Sequence, residues 1–270
     1  MRRIASRQNP IVARYRLAAR GESDGVMLLD GIHLVEEALA ANVTIREAAI
    51  AAEALQEPDM RRLASRLDAA RVDTSAVTAP VLAALSPVRS PSAIVALADR
   101  PKAHDKPFRS RDGLVIVAID VQDPGNVGAI VRVAEAGGAT GVIVAGASAD
   151  PFGWKALRGS MGSALRLPIL VRTTQVSEMK RMGYRVIAAV PRDGRSMFDV
   201  DFTGPVALLV GGEGRGLSDA ALADADERVT IPMQPPVESL NVAVTTALMV
   251  YEARRQRSAA AGQRDGYAVS

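Results

Sequence analysis

Apolar residues along this chain fall into two rhythms: short continuous runs, and stretches that repeat every three to four positions. In the second half the two alternate regularly. Leu114–Ile119 (LVIVAI) is the continuous run of a strand buried on both faces. Over 126–136, Val127, Ile130, Val131 and Ala134 recur at helical spacing, which predicts a helix with those residues inside. Strands are also predicted over 141–144, 169–171, 185–189, 206–210 and 229–231, and helices over 154–161, 176–182, 218–223 and 239–258. Such alternation predicts an α/β fold with a mostly parallel sheet.

The first half predicts a smaller α/β domain. A basic arm passes into a helical stretch within residues 1–20, and a strand follows over 26–29. A helix is predicted over 31–41, with Ile32, Val35, Ala38 and Leu39 on one face, and a strand over 44–51. Met60, Leu63 and Leu67 line an amphipathic helix over 58–70; a short apolar piece at 82–85 and a strand at 93–97 complete the domain. The polar, proline-bearing stretch DRPKAHDKPFRSRD predicts a linker. The expected organisation is a first domain over 1–100, a linker over 101–112, a second domain over 113–260 and a loose tail from Ala259.

Composition narrows the chemistry. The 270 residues are 48% hydrophobic but only 3% aromatic, so the core is aliphatic, and the composition argues against single-strand binding by many stacked aromatics. There is no Cys, which excludes disulfides, Cys-ligated metals and Cys nucleophiles. Imidazole comes only from His33 and His104, so no metal site is expected. No apolar run reaches membrane-spanning length and the N-terminus lacks the apolar stretch of a signal peptide, which predicts a cytoplasmic protein without membrane attachment. The net charge is only +3, yet residues 1–20 carry Arg2, Arg3, Arg7, Arg14, Arg16 and Arg20 and no acid. Guanidinium forks match phosphates, so this bias points to nucleic acid, with GC-rich codon usage as the bland alternative.

Three segments of the second half stand out, each at the carboxyl end of a predicted strand, where open α/β sheets bind ligands. The first is DVQDPGNVGAIVRVAEAGG, in which Asn126 suits a helix cap and Arg132 lies six residues on. The second is LLVGGEGRGLS, a glycine-rich loop without the Lys-Ser/Thr of a phosphate-binding loop. Its Glu213 would repel phosphate and suits a cationic or zwitterionic ligand. The third is IPMQPPVESLNVAVTTALMVYEARRQR, whose prolines enforce an irregular loop before Ser239 or Asn241 starts a helix. Taken singly, a cap, a glycine turn and a rigid loop explain each.

Together, Asn126 with Arg132, Glu213 in GGEGRG, and IPM followed by SLNVAV resemble the SpoU (TrmH-like) family of SPOUT RNA 2′-O-ribose methyltransferases, over residues 112–257. The stretch from Ala5 to Leu39 is similar to the L30e-like substrate-binding domain that precedes many such catalytic domains. The resemblance implies a deep trefoil knot and S-adenosyl-L-methionine as cofactor, held by Gly211, Gly212, Ile231 and Leu240 with Met233 and Ala189 at the adenine. It implies Arg132 at the reacting ribose, supported by Asn126, Glu213, Ser239 and Asn241. Arg2, Arg3, Arg7, Arg14, Lys155 and Arg158, with Ser160, are the residues expected at RNA. It also implies a homodimer, for which Val242, Leu248, Met249 and Val250 form a candidate apolar stripe. Ribosomal RNA is the expected substrate; a tRNA methyltransferase and a non-catalytic RNA-binding protein are the alternatives. One position departs from the family pattern: Pro235 stands where a glycine is common, two residues after Met233.

Overall fold

In the computed structural model, which describes residues 1–102, 104, 106–110, 112–172 and 176–262, the chain divides into two compact units. One combines Met1–Lys102 with Phe152–Arg166; the other combines Ala103–Pro151 with Leu167–Ser270. The tail expected to be loose lies, from residue 263, outside the described residues.

The first unit runs β1 (Arg2–Ile4), α1 (Pro10–Arg20), β2 (Val26–Asp30), α2 (Ile32–Ala40), β3 (Ile45–Ala51), α3 (Pro58–Ala69), β4 (Asp73–Val77), α4 (Ala79–Leu85) and β5 (Ile94–Asp99). Among the described residues its sheet has the order β1-β4-β3-β5-β2. The β1–β4 and β4–β3 pairings are parallel, and β5 is antiparallel to both its neighbours. Helix α1 shows why the chain folds locally as it does. Asn9 accepts a hydrogen bond from the Ile11 amide at 3.1 Å, Pro10 fits the first turn, and Gly21 ends the helix with φ 75°.

Two strands here escape the hydrophobic pattern. The supposed basic arm is strand β1, in which only Ile4 is buried while Arg2 and Arg3 remain exposed. Strand β4, DTSAV, buries Ser75 and Val77 and begins with polar residues, so its apolar content is too low to announce it. The apolar piece at 82–85 is the end of a longer helix, α4, with Pro80 in its first turn.

The chain continues through β6 (Leu114–Ile119), α5 (Pro124–Ala136), β7 (Gly141–Ala145), α6 (Trp154–Ser160), α7 (Ser163–Arg166), β8 (Ile169–Val171) and α8 (Val176–Arg181). It then forms β9 (Arg185–Ala189), β10 (Arg195–Ser196), β11 (Val206–Gly211), α9 (Asp219–Asp224), β12 (Glu227–Thr230) and α10 (Val242–Ala260). Helices α6 and α7 group with the first unit, where Trp154 packs on a core that includes Ile11, Tyr15 and Val81. The second unit's sheet has the order β10-β12-β9-β11-β6-β7-β8, and every neighbouring pair is parallel. Its aliphatic core takes in Phe108, fully buried although it lies in the stretch read as a linker.

Helix α10 closes the second unit. Gly137, at the end of α5, faces Val250 so closely that an added Cβ would lie 2.0 Å from its Cγ1. Gln256 accepts from the Phe202 amide at 2.7 Å and donates to the Val200 carbonyl at 2.9 Å. Arg257 donates to the carbonyls of Asp112 at 2.6 Å, Phe202 at 3.0 Å and Gly204. Burial pushes its guanidinium below its ordinary pKa, opposed by Asp112 and Asp201. The apolar stripe expected for self-association divides differently. Val242, Met249 and Val250 are buried within the unit, where α10 packs on α5 and β11, while the exposed apolar face is Val244, Leu248 and Tyr251.

Arg257→Ala leaves three carbonyls without their charged donor and should cost about 2–4 kcal/mol of stability, read as a lowered denaturant midpoint with an unchanged slope.

Candidate active site

Strands β6 and β11 lie side by side in register, Ala118 opposite Val210 and Ile119 opposite Gly211, so their carboxyl ends meet at one sheet edge. From β6 the chain proceeds outward to β7 and β8, whereas β11 continues toward β9 and β12. The strand order therefore reverses between them, which is where open parallel sheets form a ligand crevice.

The two loops leaving this edge pack backbone on backbone. The Gly212 amide donates to the Ile119 carbonyl at 2.8 Å, and a Cβ on Gly212 would sit 1.8 Å from the Asp120 carbonyl oxygen. A Cβ on Gly211 would sit 2.4 Å from the Gly216 carbonyl carbon, because the loop folds back through a Gly212–Gly216 bridge. Asp120 adopts φ 57°, and its carboxylate accepts from the Ala147 amide at 2.7 Å, tying the end of β6 to that of β7.

Asn126 does not cap α5. The helix starts at Pro124, and Asp123 is the cap, accepting from the Asn126 amide at 2.9 Å. An Asp directly before a Pro that opens a helix was the available signal. This frees the Asn126 side chain, which donates through Nδ2 to Glu213 and accepts through Oδ1 from Asn241 Nδ2 at 3.1 Å. Asn241, rather than Ser239, caps α10, accepting from the amides of Ala243 at 2.8 Å and Val244 at 3.3 Å. One chain of side-chain amides thus joins the three segments singled out by sequence.

A cavity of about 660 Å³ opens beside this junction, within the roughly 300–1,000 Å³ of small-molecule sites. All six residues expected at a cofactor line it: Ala189, Gly211, Gly212, Ile231, Met233 and Leu240. Glu213, Ser239 and Asn241 line it too, while Asn126 and Arg132 do not. The remaining wall is largely aliphatic, with Val190, Leu217 and Met249, so polar recognition there falls to backbone groups and a few rim charges. Pro235 and Pro236, in the loop before α10, are exposed and absent from the lining. Arg132 stands about 9 Å further along α5 than Asn126. It is exposed, and among the described residues neither it nor Ser239 has a hydrogen bond to Asn126, Glu213 or Asn241.

Residues 113–251 match the model of the SpoU rRNA methylase family, slightly more than half of the chain. The chain belongs to the SpoU rRNA methylase family. Residues 17–96 match the MRM3-like substrate-binding domain. An uncharacterized tRNA/rRNA methyltransferase of Synechocystis is 36% identical, over 95% of each chain. The 23S rRNA (guanosine(2553)-2′-O)-methyltransferase RlmP of Bacillus subtilis is 31% identical, over 94% of this chain and all of that one. In structure, the chain is similar to the SpoU methyltransferase AviRb of Streptomyces viridochromogenes in complex with the cofactor AdoMet, with a TM-score of 0.84 and 28% identity, over 95% of this chain and all of that one.

The residues expected at RNA all fall in the first unit, which carries the whole substrate-binding match. Arg2, Arg3, Arg7, Lys155 and Arg158 are exposed. Arg14 is exposed but engaged, its fork held by Glu47 at 2.6 and 3.0 Å, and that pairing raises its pKa. Ser160 is fully buried, its hydroxyl donating to the Leu157 carbonyl at 2.9 Å, so it does not face RNA. No group of three or more His, Cys, Asp or Glu among the described residues could hold a metal ion, and no described helix is long and apolar enough to cross a membrane.

Gly212→Ala has no space for its methyl group and should cost about 2–3 kcal/mol, lowering the melting temperature by several degrees, with loss of small-molecule binding in the cavity by calorimetry.

Proposed function

We propose that this chain transfers a methyl group from S-adenosylmethionine to a ribose 2′-hydroxyl of 23S ribosomal RNA. The observation that carries this reading is the cavity between the Gly211–Gly212 loop, Ile231–Met233 and Leu240, with the Asn241–Asn126–Glu213 chain at its edge. The donor set fits the cofactor. Aliphatic walls and glycine backbone suit an adenine read by amides and carbonyls, and Glu213 offers a carboxylate to a cationic or zwitterionic group. RlmP is a 23S rRNA 2′-O-methyltransferase, and AviRb has the cofactor bound.

When bound, S-adenosylmethionine supplies an electrophilic methyl group on a sulfonium. Gly211, Gly212, Ile231, Met233 and Leu240 hold it and exclude water. Asn126 and Asn241 fix the Glu213 carboxylate, so the polar edge of the cavity is set before substrate arrives. Arg132 acts on the ribose. A guanidinium keeps its proton at any physiological pH, so it serves as an orienting cation and not as a base. It aligns the 2′-hydroxyl and favours the negative charge that develops on that oxygen, while a phosphate oxygen of the RNA takes the hydroxyl proton and S-adenosylhomocysteine leaves. Ser239 meets the ribose from the cavity rim. The exposed arginines of the first unit, with Lys155, grip the RNA backbone. A second copy of the chain covers Val244, Leu248 and Tyr251, giving the homodimer of the family, and the trefoil threading belongs to the same reading. The enzyme works in the cytoplasm, without a metal ion.

The test uses tritiated S-adenosylmethionine and 23S rRNA, with nucleoside analysis of the product. The parent chain should yield a 2′-O-methylated nucleoside. Arg132→Ala should lower turnover by about a hundredfold or more while binding of S-adenosylhomocysteine and of RNA is unchanged. Methylated tRNA alone, a methylated base, or no transfer by the parent chain would each contradict the reading.

A further inference from the structure

Charge at the mouth of the cavity is unevenly used. Its ionisable lining residues are Arg192, Glu213, Arg215 and Glu238. Glu213 is bonded to Asn126, and Arg215 sits two residues away in the same exposed glycine loop. Arg192, just past β9, meets Glu238, just ahead of α10, with Nη2 and Oε1 3.1 Å apart. The pair joins the loop after β9 to the segment before α10, both of which line the cavity. Their side chains are 65% and 80% exposed. An ion pair this open contributes at most about 1 kcal/mol and is readily exchanged.

A guanidinium presents five N–H donors in a planar fork. Arg192 gives Glu238 a single one, and no other hydrogen bond from it is seen among the described residues. The fork at the cavity mouth is thus held toward a carboxylate with most of its donors unspent. The ligand class read for this cavity is a purine nucleoside bearing a zwitterionic amino-acid arm. The aliphatic wall accounts for the nucleoside and Glu213 for a cationic group; of the two arginines that line the cavity, Arg192 and Arg215, it is Arg192 whose fork is seen, among the described residues, to hold a carboxylate.

We infer that Arg192 is a binding residue for the α-carboxylate of the cofactor, and that Glu238 is an internal competitor for the same fork. This rests on the S-adenosylmethionine reading above. Glu238 then tunes affinity from outside the reaction: a ligand carboxylate takes the guanidinium by displacing a weak surface pair, and product leaves as Glu238 takes it back.

The test is calorimetric binding of two ligands to the full chain: S-adenosylhomocysteine, and 5′-methylthioadenosine, which keeps the nucleoside and sulfur but lacks the amino-acid arm. Arg192→Ala should weaken S-adenosylhomocysteine by about tenfold and leave 5′-methylthioadenosine unchanged. Glu238→Gln should tighten S-adenosylhomocysteine, by up to about fivefold, again without effect on the truncated ligand. Both residues are exposed, and an unchanged melting temperature of the ligand-free variants checks that folding is intact. Equal weakening of both ligands by Arg192→Ala, or no weakening of either, overturns the assignment while leaving the cofactor reading intact. Failure of the parent chain to bind either ligand overturns the cofactor reading and the assignment with it.

Discussion

The site depends on the close approach of two backbones at the carboxyl edge of the parallel sheet. Gly212 lies against the Asp120 carbonyl with no space for a side chain, and Gly211 lies against Gly216 in the same way. In-register pairing of β6 with β11 brings these loops together, and the absence of side chains lets them touch. A side chain on Gly212 would pry the Glu213 loop from the start of α5, and the bond between Asn126 and Glu213 would lose its geometry. The glycines therefore set the spacing on which the chemistry rests, and they line the cavity as a consequence.

The start and end of α10 extend the same constraint. Asn241 caps the helix with its carbonyl oxygen and reaches Asn126 with its amide nitrogen, so helix initiation and site assembly share one side chain. Far along the helix, Gln256 and Arg257 hold the backbone around 200–204 through hydrogen bonds. A helix anchored at both ends cannot slide along its axis, and the position of Asn241 is fixed accordingly. Val244, Leu248 and Tyr251 remain on the outer face because this anchoring turns Val242, Met249 and Val250 inward.

Much of this architecture was legible in the sequence where burial alone decides structure. LVIVAI is a strand because no other element hides six consecutive apolar residues behind helices on both faces, and β8 and β9 follow at their predicted bounds. The pattern failed where burial is partial or long-range. Strand β1 buries one residue of three, and β4 buries a serine, so neither carries an apolar rhythm. Phe108 sits among charged neighbours, and only tertiary contact reveals it as core. Helix α6 shows the right local period, but its grouping with the first unit comes from contacts distant in sequence, which no local pattern carries. At the site, residue types and order were enough to gather Glu213, Asn241 and the cavity lining. They were not enough to separate the cap at Asp123 from Asn126, whose side chain bonds Glu213 and Asn241 instead, since both residue types cap helices well. The Arg192–Glu238 pair lay 46 residues apart without a motif to join them.

The central claim is that one cavity, built by the loops after β9 and β11 and by the segment before α10, takes the methyl donor, while the first unit serves the RNA. Hydrogen–deuterium exchange of the full chain with and without S-adenosylhomocysteine addresses that claim most directly. The account predicts slower exchange at the amides of 211–217, 231–233 and 240–244, and no change in β1–β5 or α1–α4. Protection centred on the first unit, or none around Gly212 and Leu240 at saturating ligand, would contradict it.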